Sequence, residues 1–140
     1  MSDVPQVKMD ELFGKAEAAA LSAYAPYSGF RVGAALLADN GLVFTGCNVE
    51  NRSYGLGICA ERTAVTKAVS EGSRRFIALA ISTPDSAVPV GPCGACRQVL
   101  SEFMAGEAPV RFGGSTQDRV NTTIGELLPF DSLHDLAKNG

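Results

Sequence analysis

Three cysteines constrain how this chain can fold. Cys59 stands alone, and Cys93 and Cys96 form a CxxC pair whose first member lies 34 positions later. Both sites fall at predicted helix starts. The first helix spans 59–70, with Ala64, Val65, Ala68 and Val69 as its apolar stripe, and Gly72 stops it. The second runs from about 94 to 104 and carries Val99, Leu100 and Phe103 inward. Between the two helices lie a short, continuously apolar strand over 76–82, of the kind buried on both faces, and a proline-rich loop over 83–92. A helix N-terminus presents unpaired N–H groups and a partial positive charge, which lower a thiol's pKa and stabilise the thiolate a metal needs. Two parallel helix starts, side by side on one sheet edge, bring these sulfurs together on one ion.

The remainder of the chain supplies the sheet. A helix is expected from an N-cap at Asp10 through Leu12, Ala16, Ala19, Ala20 and Ala23, ended by Pro26, with residues 1–9 as a flexible extension. Strand-like runs at 30–38 and 42–49 flank Asp39-Asn40-Gly41, a hairpin signal. Weak strands at 110–112 and 119–122 and short helices at 125–128 and 132–137 complete the chain. This order describes an α/β protein, a three-layer α/β/α arrangement around a mixed sheet of about five strands. A length of 140 residues, 46% hydrophobic and 19% charged, fits a single domain over 1–140.

Twelve basic against fifteen acidic residues give a formal charge of −3, with no basic block to neutralise a phosphate backbone. A nucleic-acid polymer is therefore not an expected partner. The apolar run Val32-Gly33-Ala34-Ala35-Leu36-Leu37-Ala38 is far below the roughly 20 residues that span a bilayer. No membrane association is expected, and the polar first ten residues hold no signal-peptide core. A cytoplasmic location, where thiols stay reduced, is the expectation.

There is one histidine, His134, read as a surface residue, so metal binding and proton transfer fall to other residue types. Zn²⁺ is the natural ion for three thiolates that must withstand a reducing cell. A CxxC pair alone also serves redox chemistry or a structural zinc site, and a lone cysteine is often only a small apolar residue. Glu61, two residues after Cys59, favours a catalytic site. Three protein ligands leave a fourth position for water, and a carboxylate that is not itself a ligand can move that water's protons. Cys47 is expected to be an inert core residue on a central strand.

Cys59-Ala60-Glu61-Arg62-Thr63-Ala64, followed by Pro92-Cys93-Gly94-Ala95-Cys96-Arg97-Gln98, resembles the paired signature of the zinc nucleoside deaminases. The likeness is strongest to the small homotetrameric cytidine deaminases. Ala25-Pro26-Tyr27-Ser28, Phe30, Val32-Gly33-Ala34-Ala35, Gly46-Cys47-Asn48-Val49-Glu50-Asn51 and Glu126-Leu127-Leu128-Pro129 extend it over nearly the whole chain from about residue 10.

The resemblance implies hydrolytic deamination of cytidine and 2'-deoxycytidine, with one Zn²⁺ per chain held by Cys59, Cys93 and Cys96 and with Glu61 as the proton shuttle. Arg62 is expected to hydrogen-bond the sulfurs and draw charge from a site whose formal charge is −1. Asn48 and Glu50, on one strand face, are expected to bind ribose hydroxyls, Phe30 to pack on the pyrimidine, and the backbone of Ala60 to meet the base edge. Tyr54 is expected to enter a neighbouring subunit's site in a homotetramer. Phe130 is the candidate for a second such aromatic, although it follows Leu128-Pro129 at a shorter spacing than the family usually has. Arg52 stands where relatives often have a small residue, so a charged intersubunit contact is expected there. Arg97 and Gln98 are expected to brace the site or pack near it.

Three other readings remain. The same chemistry could act on another amino-substituted ring such as blasticidin S. A structural zinc module could recruit Cys47 as a fourth ligand. A thiol oxidoreductase could run on Cys93 and Cys96, leaving Cys59 and Glu61 without a task.

Overall fold

The turn at Asp39-Asn40-Gly41 organises the sheet of the computed structural model, which describes residues 4–133. Gly41 takes a φ of 89°, a conformation that favours glycine, and the Asn40 side chain accepts the Leu42 N–H at 3.1 Å. Strands β1 (Gly33–Ala38) and β2 (Val43–Cys47) therefore run antiparallel, with Ala35 opposite Thr45. On its other edge β1 pairs antiparallel with β3 (Phe76–Ser82). The chain then returns through a helical crossover, the connection that parallel neighbours require. Accordingly β3 lies parallel to β4 (Pro109–Gly113), and β4 is antiparallel to β5 (Arg119–Thr123). The result is a mixed five-stranded sheet in the order β2-β1-β3-β4-β5.

Alternation along β1 explains its uninterrupted apolar sequence. Ala34, Leu36 and Ala38 join Leu79 and Ile81 of β3 in a core beneath α2 (Ala60–Ser70) and α3 (Gly94–Phe103). Ala35 and Leu37, with Ala78 and Ala80, face α1 (Gln6–Ala20) through Met9, Leu12, Phe13 and Ala16. Both faces are covered, as the three-layer reading expected. A short helix, α4 (Ile124–Leu127), follows β5 and is capped by Thr123, whose hydroxyl accepts the Glu126 N–H.

Two glycines let helices lie unusually close to the sheet. A Cβ on Gly33 would stand 2.0 Å from the Ala16 carbonyl oxygen of α1, and one on Gly46 would stand 2.5 Å from the Ala60 carbonyl oxygen of α2. Neither position has room for a side chain without backbone movement.

The N-terminal expectation is corrected. Helix α1 begins at Gln6, after Pro5, rather than at an Asp10 cap. Residues 6–9 are thus helical and not part of a flexible extension, while residues 1–3 lie outside the described residues. Two interactions account for the difference. Met9 is buried in the α1-side core, and the nearly buried guanidinium of Arg111 on β4 donates to both the Asp10 carboxylate and the Gln6 side-chain carbonyl. Its Nε donates to Asn121 at 2.8 Å, so each face of this inward-pointing charge has a partner. Asp10 is a mid-helix acceptor for a strand residue over one hundred positions away, a link no local pattern carries.

Cys47 is also relocated. It is half-buried at the end of β2, an edge strand, not on a central one. The expected helix over 132–137 and His134 fall outside the described residues, apart from positions 132 and 133, which are not helical. Among the described residues, no helix is long and apolar enough to cross a membrane.

Candidate metal centre and its adjoining pocket

Cys59 and Cys93 are the N-cap residues of α2 and α3, both with extended backbone, and Cys96 sits in the first turn of α3. The strand–loop–helix connections after β2 and β3 deliver both helix starts to one end of the sheet. Their three sulfurs lie within 4.8 Å of one another, and Cys59 and Cys93 are 3.9 Å apart. A tetrahedral ion with Zn–S bonds of about 2.3 Å sets neighbouring sulfurs about 3.8 Å apart. The donor set therefore fits Zn²⁺ in both chemistry and spacing. Among the described residues this is the group suited to a metal, and Cys47 is not in it. A four-cysteine structural site using Cys47 loses its support on that ground.

A hydrogen bond from Cys96 pulls the Cys59 thiol down to about 5, with Arg62 and Cys93 adding to the effect against the cost of burial. The same bond, together with burial, pushes Cys96 up. Arg62 donates from Nη2 to the Cys59 sulfur at 3.4 Å, and this contact raises its own pKa further. Its Nε is buried without a hydrogen-bond partner among the described residues. A guanidinium fixed against thiolates in this way offsets negative charge where three sulfurs meet.

Glu61 projects from the first turn of α2 and is only 4% exposed. Burial pushes its carboxyl up to about 7, and the Cys59 thiolate adds to the rise. A carboxyl poised near neutrality exchanges protons in either direction, as a general acid–base group must.

Beside the sulfurs lies a cavity of about 420 Å³, within the range of small-molecule sites. Cys59, Glu61, Arg62 and Cys93 form one end, and Phe30, Asn48, Glu50 and Tyr54 line the other. Cys96 and Ala60 are fully buried behind the wall; Ala60 opens α2, so its N–H is one the helix cannot satisfy. Tyr54 is 82% exposed and meets Tyr27 edge to face, with ring centroids 6.1 Å apart. Phe130 is 92% exposed and does not line this cavity.

Asn48 and Glu50 are engaged with the protein itself. The Asn48 side chain accepts the Val32 N–H at 2.8 Å and donates to the Phe30 carbonyl at 2.8 Å, standing in for a strand partner where β1 has not yet begun. Glu50 accepts the Tyr27 and Ser28 N–H groups at 3.0 and 3.1 Å and the Ser28 hydroxyl. The Ser28 hydroxyl bond lowers its pKa, so it is held as an anion.

Sequence reasoning gave no task to several residues that shape this cavity. The Arg31 guanidinium grips Asp85 at 2.7 and 3.0 Å, and the Arg31 N–H adds a third bond at 2.8 Å. That clamp ties the segment after Phe30 to the loop leading to Cys93. Thr83, buried on the cavity wall, is another. Arg97 donates to the Pro92 carbonyl at 2.8 Å and to the Leu127 carbonyl at 3.0 Å, bracing the residue before Cys93. Gln98, midway along α3, donates to the Asp131 carboxylate at 3.3 Å. The Ala25-Pro26-Tyr27-Ser28 motif was the available signal for the Glu50 contacts.

A sheet between helix layers, with three converging thiols and a buried carboxyl at two helix starts, defines an α/β/α protein of the class built to hold a metal ion beside an acid–base group. The model of the cytidine and deoxycytidylate deaminase zinc-binding region matches residues 7–111. A cytidine deaminase of Sporosarcina psychrophila is 50% identical over 121 residues, which cover 86% of this chain and 88% of that protein. Another, from Halalkalibacterium halodurans, is 52% identical over 107 residues, covering 76% and 80%. The crystal structure of a cytidine deaminase from Burkholderia pseudomallei superposes with a TM-score of 0.82 at 47% identity, covering 86% of this chain and 96% of that one. This chain belongs to the cytidine and deoxycytidylate deaminase family.

Proposed function

We propose that the chain converts cytidine and 2'-deoxycytidine, with water, to uridine and 2'-deoxyuridine and ammonia. The observation that carries this reading is the buried Glu61 beside three clustered sulfurs, in one cavity with Asn48 and Glu50. Cys59, Cys93 and Cys96 would hold the zinc ion. When bound, zinc acts as a Lewis acid that makes water nucleophilic at neutral pH. On its own carboxyl, Glu61 takes a proton from the attacking water and delivers it to the ring nitrogen N3 as the C4–O bond forms, then takes the proton of the hydroxyl added at C4 and passes it to the amine, which leaves as ammonia when the C4–N bond breaks. Arg62 offsets the excess charge of three thiolates, and the first turn of α2 contributes its dipole.

At the other end, Glu50 and Asn48 receive the sugar, Phe30 packs on the base, and the Ala60 N–H meets the base edge. A deaminase for a different ring is disfavoured by the strong identity to cytidine deaminases across most of the chain. The chain works as a single domain in the cytoplasm and assembles into a homotetramer. The high exposure of Tyr54 and Phe130 supports assembly, because aromatic side chains so placed gain burial from a neighbouring subunit. Arg52, also exposed, supplies a charged contact there.

The test is to count zinc per purified chain and follow the ultraviolet absorbance of cytidine and deoxycytidine with the wild type and Glu61→Gln. Zinc near one per chain, turnover by the wild type and its loss in Glu61→Gln are expected. Bound zinc without deamination of either nucleoside defeats the reading. Light scattering that finds a monomer at working concentration defeats the assembly.

A further inference from the structure

We infer that Ser28 is a positioning residue for nucleoside binding, fixing Glu50 and Phe30 relative to each other before the ligand arrives. The inference rests on reading the cavity as a nucleoside site. Its basis is the use of one hydroxyl in two directions. Ser28 Oγ donates its proton to Glu50 Oε2 and accepts the Phe30 N–H at 3.0 Å. The Ser28 and Tyr27 N–H groups hold the other carboxylate oxygen. A reversal at Gly29, with φ 70° and its N–H on the Ala25 carbonyl at 2.9 Å, lets consecutive residues turn back onto one carboxylate.

From Phe30 the connection continues. Its carbonyl accepts from Asn48, whose amide also accepts the Val32 N–H. A single run of hydrogen bonds thus passes from Glu50 through Ser28 and Phe30 to Asn48, joining three of the residues that line the cavity. Ser28 itself does not line it. It borders an adjoining hollow on the outer side of Glu50, with Tyr27, Asn51 and Tyr54. It therefore acts through Glu50 and not by touching the ligand.

The chemical consequence is an acceptor of fixed direction. An ionised carboxylate donates no hydrogen bond, so what it offers a ligand is remaining acceptor capacity, suited to a hydroxyl. Removing Ser28 Oγ frees one oxygen and orphans the Phe30 N–H, so ordering that was complete beforehand must occur on binding.

The test compares wild type, Ser28→Ala, Ser28→Thr, Glu50→Ala and the Ser28→Ala/Glu50→Ala double variant. Steady-state cytidine kinetics are read beside calorimetric binding of uridine and the thermal midpoint. For Ser28→Ala, KM and the uridine Kd should rise about tenfold, the loss expected for one hydrogen bond to a charged group, with kcat within about threefold of wild type. Ser28→Thr, which keeps the hydroxyl at an exposed position, should restore both. In the Glu50→Ala background, Ser28→Ala should add little. An unchanged KM in Ser28→Ala, or its full effect persisting without Glu50, overturns the inference. If the unmodified chain neither deaminates cytidine nor binds uridine, the functional reading itself falls, and this inference with it.

Discussion

The two ends of the cavity are built by different means. At the metal end, side chains come from two short motifs at helix starts, and their properties are set by burial and by one another: burial pushes the Glu61 carboxyl up, and Arg62 is pressed against the Cys59 sulfur. At the opposite end, half-exposed groups from the loop before β1 and the segment after β2 are held by hydrogen bonds to backbone. The contrast separates tasks. Burial and charge tune reactivity, whereas a solvated network fixes direction without large changes in proton affinity.

Substitutions at the two ends should therefore move different quantities. The largest change is expected from Cys96→Ser, which removes a fully buried sulfur: zinc per chain should fall close to zero and turnover with it, and metal analysis of the purified variant decides. Next, Glu61→Gln should lower kcat by about 10²–10⁴-fold, the usual worth of a general acid–base group, while zinc content stays at the wild-type level. Arg62→Gln should retain zinc yet lose about tenfold in kcat, as expected for a charge-assisted hydrogen bond.

Across the cavity, Glu50→Ala should raise KM about tenfold to a hundredfold with little change in kcat. Loss of zinc in Glu50→Ala, or a pure KM effect in Glu61→Gln, would break the division. The smallest effect is expected at Asp85, whose pKa is held down to about 2 by the hydrogen bonds and charge of Arg31. A depressed folded-state pKa means that its stabilising contribution is present above the ordinary range near 4 and is lost as pH falls toward 2. Asp85→Asn should lower the thermal midpoint slightly at pH 7, and the difference from wild type should vanish near pH 2.

Legibility in the sequence followed the same division. Cys59-Ala60-Glu61-Arg62 and Pro92-Cys93-Gly94-Ala95-Cys96 were readable because a helix start, a ligand and a proton carrier are neighbours in the chain. The apolar strand over Phe76–Ser82 was readable for a similar reason, being an unbroken hydrophobic run with clear ends. Asp10 was misread as a cap because its partner is Arg111, and the Arg31–Asp85 clamp joins positions 54 apart. Asn48 was legible as a polar residue of the site but not as the amide that completes the backbone at Phe30 and Val32. Side chains that satisfy distant backbone leave no periodic trace.

Gly46 has a consequence beyond packing. Two sulfurs of the triad belong to α3, while the third, with the Glu61 carboxyl and the Arg62 guanidinium, rides on α2. The α2 start rests directly on Gly46, so the height of that helix above the sheet sets whether the triad closes. A residue that offers no functional group thereby acts as a spacer of zero thickness. Even a methyl group there would act as a shim between two halves of one coordination sphere, so metal affinity becomes a gauge of how closely helix and sheet are allowed to meet.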